Sequence, residues 1–175
     1  MGVFTINATE LGWIRGPEDD PRDLCLHGRA VARIGERTVE FHATVSATAL
    51  YLLKTLTEDH IINEDNQMLP CCGFFMVPNE ALDNVVIIGC NRGVDWSVIH
   101  EDDGVRLVLE DGYEETVATD DYRAEVFRFA DAIEAYYASC RRKRPYKSDR
   151  RAYKAFWNEW RRRRGARTEK GGRTR

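Results

Sequence analysis

Apolar and polar residues alternate along two neighbouring stretches of the chain, and this pattern constrains the fold more than any other feature. Apolar side chains fall mainly on even positions in Leu24–Ile34 and on odd positions in Thr38–Val45. A period of two is typical of strands that bury one face. Pairing Ile34 with Val39 across a four-residue loop places both apolar sets on the same face. We therefore predict an antiparallel hairpin in this region.

The middle of the chain carries the turn signals of a β-meander. Cys71–Val77 and Asn84–Cys90 are apolar at successive positions, which is typical of central strands that are buried on both faces. The loops 91–93 and 110–112 each end in a glycine, where a three-residue hairpin needs a left-handed backbone conformation. Closing the two hairpins at these loops predicts the pairs Val86 with Val98 and Val105 with Val117.

Three segments combine the helical spacing of apolar residues with a polar residue that suits the first turn of a helix. These capping residues are Ser46, then Thr119 or Asp120, and finally Ser148 or Asp149. The third helix is predicted to end near Arg164, since Gly165 is a typical stop signal.

The predicted fold class is α+β, with a mainly antiparallel β-meander sheet of about six strands, one inserted helix and two C-terminal helices. Residues 1–164 are expected to form a single domain, in which 1–22 is irregular. The basic aromatic helix within 141–164 is expected to pack on this domain or to project from it. Residues 165–175 are expected to form a flexible basic tail.

Length and composition favour an ordinary globular protein of the cytoplasm. A chain of 175 residues with 43% hydrophobic residues is large enough to bury one core. The N-terminal sequence lacks the pattern of a secretory signal, and the longest strongly apolar run, Val85–Ile88, is too short to span a bilayer. Five cysteines, an odd number, favour reduced thiols over a disulfide framework. We therefore expect a cytoplasmic location and no membrane partner.

Charge is divided unevenly along the chain. The segment Arg141–Arg175 holds 16 of the 26 lysines and arginines but only three of the 29 acidic residues, so its formal charge is +13. Residues 1–140 therefore carry a formal charge of −16. A basic segment of this kind is typical of a contact with nucleic acid or with an acidic surface.

The leading hypothesis is a non-catalytic interaction protein whose basic helix and tail contact RNA, DNA or a nucleic-acid-containing complex without sequence specificity. The residues predicted to neutralise phosphates are Arg141, Arg142, Lys143, Arg144, Lys147, Arg161, Arg162, Arg163 and Arg164.

An aromatic stripe lies on the same helix, formed by Tyr153, Phe156, Trp157 and Trp160. Helical spacing of this kind favours docking of the stripe against the rest of the domain. The alternative is an exposed stacking surface for unpaired bases, because aromatic rings interleaved with arginine can stack on them.

Acidic clusters support an alternative function, an immunity-type or inhibitor protein that captures a basic protein partner. The carboxylates proposed for that surface are Asp59, Glu64, Asp65, Glu101, Asp102 and Asp103. A third hypothesis is an uncharacterised hydrolase using His60, His100 and Asp95, although the sequence shows no convergence of a base with a nucleophile.

The cysteines predict no metal site. Cys71, Cys72, Cys90 and His60 lack the two-residue gap of common zinc knuckles, and we interpret the three thiols as small apolar core residues in strands. The sequence therefore predicts no catalytic residue, no metal and no cofactor.

Overall fold

The computed structural model describes residues 2–14, 18–63 and 66–165 of the chain. The strands are β1 Phe4–Gly12, β2 His27–Ile34, β3 Arg37–Ala43, β4 Leu69–Pro70, β5 Phe75–Pro78, β6 Val85–Ile88, β7 Gly93–Val94, β8 Trp96–Glu101, β9 Gly104–Leu109 and β10 Glu114–Val117. The helices are α1 Val45–Lys54, α2 Thr119–Ser139 and α3 Arg150–Gly165.

The α+β class and the antiparallel pairing are confirmed, but the single six-stranded meander is wrong. The described strands form four small antiparallel sheets, in the orders β1-β2-β3, β10-β9-β8, β4-β7 and β5-β6. β1 also occupies much of the segment predicted to be irregular, because it pairs with β2 from Phe4 to Gly12 across one bulge.

The predicted β2–β3 hairpin forms with a different register. Ile34 pairs with Arg37 and Ala32 pairs with Val39, so the turn holds two residues instead of four. Gly35 adopts a φ of 55°, the left-handed conformation that such a tight turn requires. Because the register differs by two residues, every side chain stays on its predicted face of the sheet.

The second predicted hairpin is confirmed, and the first is wrong. Val105 pairs with Val117 across the β9–β10 turn. Val86 pairs with Val77 of β5, whereas Val98 belongs to β8 and pairs with Leu107 of β9. The two apolar segments 71–77 and 84–90 are therefore not central strands, since they contribute to a two-stranded ribbon and to the loops that flank it.

Three helices complete the core. Nine of the ten residues of α1 are buried, so this helix is covered on all sides, with α2, α3, β2 and β4 around it. Ser46 lies inside α1, where its Oγ accepts a hydrogen bond of 3.2 Å from the Leu26 backbone N–H, and does not cap the helix. Ala118 precedes α2, so the predicted cap at Thr119 or Asp120 is also wrong. None of the described helices has the length and apolar character needed to cross a membrane.

Candidate functional site

Helix α3 presents two faces of opposite character. Its buried residues are Ala155, Phe156, Glu159, Trp160 and Arg163, and this face packs against α1, β5 and β6. At 100° per residue, the opposite side carries five exposed cations within an arc of about 120°. We call this set the α3 outer face, and its members are Arg150, Arg151, Lys154, Arg161 and Arg162.

The aromatic stripe lies on the docked side of α3. Trp160 is completely buried, and its Nε1 donates a hydrogen bond of 3.1 Å to Glu134. Phe156 is also buried, and the half-buried ring of Trp157 makes an edge contact with the ring of Tyr137 at 5.1 Å between centroids. The stripe is therefore docked against the rest of the domain. The buried rings of Phe156 and Trp160 are not accessible for stacking on a nucleic-acid base. Tyr153 is half-buried at the start of the same stripe.

A buried charge network anchors α3. Glu159 has no exposed surface, and its carboxylate accepts hydrogen bonds from the backbone N–H of Val85 at 2.7 Å and from Arg163 Nε at 2.8 Å. Arg163 also pairs with Glu58 at 2.5 Å, while Lys54 Nζ lies 3.5 Å from Glu159. Burial lowers the pKa of Lys54, and the nearby charge of Glu159 opposes that effect.

Three of the predicted phosphate-binding cations already have carboxylate partners. Arg163 and Lys143 are buried with theirs, and Arg164 is half-buried and pairs with Asp131 at the surface. Lys143 is 9% exposed, donates to Asp19 at 2.7 Å and lies 3.1 Å from the centre of the Trp13 ring. Arg164 forms a bidentate pair with Asp131, in which Nε and Nη2 donate to the two carboxylate oxygens at 2.6 and 2.7 Å. Arginine and lysine side chains held in this way are poorly placed to neutralise a phosphate.

The other six predicted cations are exposed. They are Arg141, Arg142, Arg144, Lys147, Arg161 and Arg162. Arg162 donates to the Asp83 carbonyl at 3.1 Å and lies 3.9 Å from the buried Glu159, so it is partly engaged. In the described part of the chain, no carboxylate lies within 4.0 Å of the basic groups of Arg150, Arg151, Lys154 or Arg161. Arg150, Arg151 and Lys154 are not among the cations predicted from the sequence to neutralise phosphates.

The predicted acidic surface is partly neutralised. Asp59 accepts from His100 Nδ1 at 2.7 Å, and Glu101 pairs with Arg106 at 2.6 Å. Asp102 and Asp103 are exposed in the β8–β9 turn. The remaining two predicted carboxylates, Glu64 and Asp65, lie outside the described residues.

The histidines of the hydrolase hypothesis belong to two separate pairs. His60 Nε2 lies 2.8 Å from Asp95 Oδ1, and Asp95 is 2% exposed. The Asp95 carboxylate also accepts from the backbone N–H groups of Asn63 and Met68, at 3.1 and 2.9 Å. Asp95 therefore ties His60, Asn63 and Met68 to the start of β8.

A cavity of about 180 Å³ borders His60. Its lining includes the hydroxyls of Tyr51 and Thr55, and both are engaged, with the Ile87 carbonyl at 3.1 Å and the Leu52 carbonyl at 2.8 Å respectively. Burial also raises the pKa of Tyr51 well above its ordinary range. Nucleophilic catalysis needs a hydroxyl or thiol that is activated by the base, and these two hydroxyls are committed to main-chain carbonyls.

The cysteine cluster, Cys71, Cys72 and Cys90, overturns the interpretation of these residues as buried core. Cys72 is exposed and the other two are half-buried. Their three sulfur atoms lie within 4.8 Å of one another, and Cys72 Sγ is 3.4 Å from Cys90 Sγ. The backbone N–H of Arg92 and the thiol of Cys72 donate to the Cys90 sulfur and lower its pKa, while the same Cys90 contact raises the pKa of Cys72 to about 11.

A cleft of about 480 Å³ adjoins the cysteine cluster. Cys71 and Cys72 line it together with His27, His42 and Trp13. Both nitrogens of His27 are engaged, Nδ1 with the Cys25 carbonyl at 3.0 Å and Nε2 with Thr44 Oγ1 at 3.2 Å. The imidazole of His42 is exposed on the same cleft.

An apolar surface lies on the outer side of the β5–β6 ribbon. The cross-strand pairs Phe75 with Ile88 and Val77 with Val86 all point outward, and these side chains are 44–60% exposed. We call these four residues the ribbon face. Contiguous exposed apolar groups of this kind are typical of interaction surfaces.

Comparison of the chain with protein-family models, with curated proteins and with solved structures gives no match.

Proposed function

We propose that the protein is a non-catalytic interaction protein that contacts RNA or DNA without sequence specificity. The contact surface would be the α3 outer face together with the preceding exposed cations Arg141, Arg142, Arg144 and Lys147. The basic tail over 165–175 would add to it, although residues 166–175 lie outside the described residues.

The observation that carries this proposal is the row of cations on the α3 outer face without carboxylate partners in the described part of the chain. Arg150 and Arg161 are eleven residues apart, which corresponds to about 17 Å along the helix axis. That length spans about five phosphates of one DNA strand, since successive phosphates are about 3.4 Å apart along the axis. Because the buried face of α3 is packed against the domain, the positions of these cations along the helix are fixed.

The expected dependence of the binding affinity on salt concentration can be calculated from the number of phosphate contacts. About five phosphate contacts produce a slope of about −4.5 when the logarithm of the binding constant is plotted against the logarithm of the salt concentration. Affinity would then fall roughly 500-fold between about 50 and 200 mM salt. No base-reading motif accompanies the cations, so the affinity should differ little between nucleic-acid sequences.

The test compares two triple variants that lose the same charge. Arg150→Gln, Lys154→Gln and Arg161→Gln together should flatten the salt slope by about 2.7 and weaken binding roughly 100-fold at physiological salt. The control triple, Arg29→Gln, Arg37→Gln and Arg123→Gln, removes three cations from β2, β3 and α2. Fluorescence anisotropy with a labelled single-stranded and a double-stranded oligonucleotide measures both.

Equal losses in the two triples would contradict a specific role for α3, and binding that is insensitive to salt would contradict the phosphate mechanism. Deletion of residues 166–175 in the wild-type background separates the tail from the helix. Complete loss of binding on that deletion alone would assign the contact to the tail.

The alternative proposal, capture of a basic protein by acidic clusters, has weaker support because Asp59 and Glu101 already have cationic or imidazole partners. The ribbon face supports the broader proposal that the protein acts through contacts with other macromolecules.

A further inference from the structure

We propose that Cys71, Cys72 and Cys90 bind one Zn²⁺ ion through three thiolates, with the fourth coordination position facing the adjacent cleft. This inference concerns a surface that is separate from α3, and it does not depend on the nucleic-acid proposal.

The spacing of the three sulfurs suits a single ion. A Zn–S distance of about 2.3 Å in a tetrahedral site places neighbouring sulfurs about 3.8 Å apart. The closest pair, Cys72 and Cys90, is 3.4 Å apart, and all three sulfurs lie within 4.8 Å of one another. Side-chain adjustments of less than about 1 Å would therefore bring each sulfur to bonding distance from a shared ion.

The backbone fixes the two segments that carry these thiols. β4 pairs with β7, so Pro70 lies opposite Gly93, and the N–H of Cys71 donates to the Arg92 carbonyl at 3.0 Å. Thr44 holds the same segment from the other side, because its Oγ1 donates to the Cys71 carbonyl at 3.1 Å. Ligands carried by segments that directly flank the paired strands β4 and β7, and held by hydrogen bonds, are already organised for binding.

The backbone after Cys72 packs closely against side chains at the start of α1. A Cβ atom at Gly73 would come within 2.6 Å of Thr44 Cγ2 and 2.9 Å of Ala47 Cβ, so any other residue there would force this path of the chain to shift. The irregular conformation of residues 71–74 brings adjacent cysteines to one cluster, whereas a regular strand would point them to opposite faces.

The donor set selects the class of ion. Thiolates are soft ligands that favour Zn²⁺ or Cu⁺ over Mg²⁺ and Ca²⁺. Zn²⁺ prefers four ligands, and the cleft supplies an accessible fourth position to water or to the exposed imidazole of His42. Both nitrogens of His27 are engaged by the protein, which leaves His42 as the better-placed imidazole on this cleft.

The chain contains internal control cysteines. Cys25 is buried, donates to the Gly73 carbonyl at 3.4 Å, and has its pKa raised to about 12 by burial. Cys140 follows α2 and lies outside the cluster. Neither residue should contribute to the bound ion.

Co²⁺ serves as the spectroscopic probe in an anaerobic titration of the reduced full-length protein. We expect thiolate-to-metal charge-transfer bands in the near ultraviolet, intense visible bands of a tetrahedral site, saturation at one equivalent, and displacement by Zn²⁺. Cys72→Ser should remove most of the charge-transfer intensity and weaken Zn²⁺ binding more than about 100-fold, since loss of an outer-shell partner alone costs about 10–100-fold. Cys140→Ser should leave the titration unchanged.

Alkylation of the wild-type protein gives a second measurement that does not depend on folding of a variant. Stoichiometric Zn²⁺ should protect Cys71, Cys72 and Cys90, but not Cys140, from iodoacetamide in peptide mass spectra. Absence of protection, equal loss in Cys140→Ser, or binding of Cu⁺ without Zn²⁺ would overturn the proposal. Rapid formation of a disulfide between Cys72 and Cys90 in air, in the presence of stoichiometric Zn²⁺, would also count against the proposal.

Discussion

Replacement of Glu159 by glutamine is the sharpest test of how α3 is held. The carboxylate has no exposed surface and accepts from Val85 N–H at 2.7 Å, Asn84 Nδ2 at 3.2 Å and Arg163 Nε at 2.8 Å. Gln keeps the volume of the side chain, so packing is unchanged. Its amide group removes the negative charge and turns one acceptor into a donor that faces other donors.

The expected cost follows from the burial of the partners. Removing one member of a buried ion pair typically destabilises a protein by about 3–5 kcal/mol, because the remaining charge loses its buried counter-charge. In Glu159→Gln, Arg163 would keep the more exposed Glu58 as its carboxylate partner. Arg163 is 5% exposed, and the neighbouring Lys54 is also largely covered. For a chain of this size, each 1 kcal/mol lowers Tm by about 2–4 °C, so Glu159→Gln should lower Tm by roughly 6–20 °C.

Urea unfolding followed by tryptophan fluorescence measures the change, and Glu114→Gln provides the matched control. Glu114 pairs with Arg106 at 3.1 Å but is 58% exposed, so its loss should cost less than about 1 kcal/mol. The cost of Glu159→Gln should also persist at high salt, because buried pairs are weakly screened. A cost below about 1 kcal/mol would refute the argument that this network anchors α3.

Two further predictions concern the β1–β2 connection, which contains Asp19, and the β2–β3 turn, which contains Gly35. The hydrogen bond from Lys143 lowers the pKa of Asp19 below its ordinary value of 3.8, so its contribution to stability is present above that pH and is lost as the pH falls through the lowered pKa. Asp19→Asn should remove this part of the acid dependence, measured as urea midpoints between about pH 2 and pH 6. Gly35→Ala should destabilise by about 1–2 kcal/mol or more in thermal unfolding, since φ is 55° and the added methyl would also contact Glu115; Gly12→Ala, with open space around it, is the control.

Alternation predicted the faces of β2 and β3 correctly but not their register. A shift of two residues leaves each side chain on the same face, so the apolar pattern cannot distinguish the Ile34–Val39 alignment from the observed Ile34–Arg37 alignment. The deciding factor was Gly35, whose left-handed conformation permits a two-residue turn. The glycine at position 35 was therefore the feature of the sequence that could have predicted the correct register.

The continuous apolar runs over 71–77 and 84–90 led to a wrong interpretation of the cysteines. Apolar runs predicted buried central strands, but Cys71 and Cys72 lie in irregular backbone after the two-residue strand β4, and Cys90 lies in the loop between β6 and β7. The long-range pairing of Leu69 with Val94 brings these loops together. Such a pairing between short strands leaves almost no local pattern in the sequence, because each contributes only two residues.

The packing of α3 also divides the basic residues near the C-terminus into two groups, one paired with carboxylates and one exposed. Of the twelve lysines and arginines between Arg141 and Arg164, Lys143, Arg163 and Arg164 are bound to carboxylates of the body and nine remain exposed. Arg163 and Arg164 tie the helix to Glu58 and Asp131, and the exposed cations on the opposite face are then held in one array. Removal of Glu159 should therefore weaken the protein's stability, whereas removal of Arg150, Lys154 and Arg161 should weaken binding and leave stability within about 0.5 kcal/mol for each substitution. These opposite responses distinguish a helix that is only part of the core from one that also presents a binding surface.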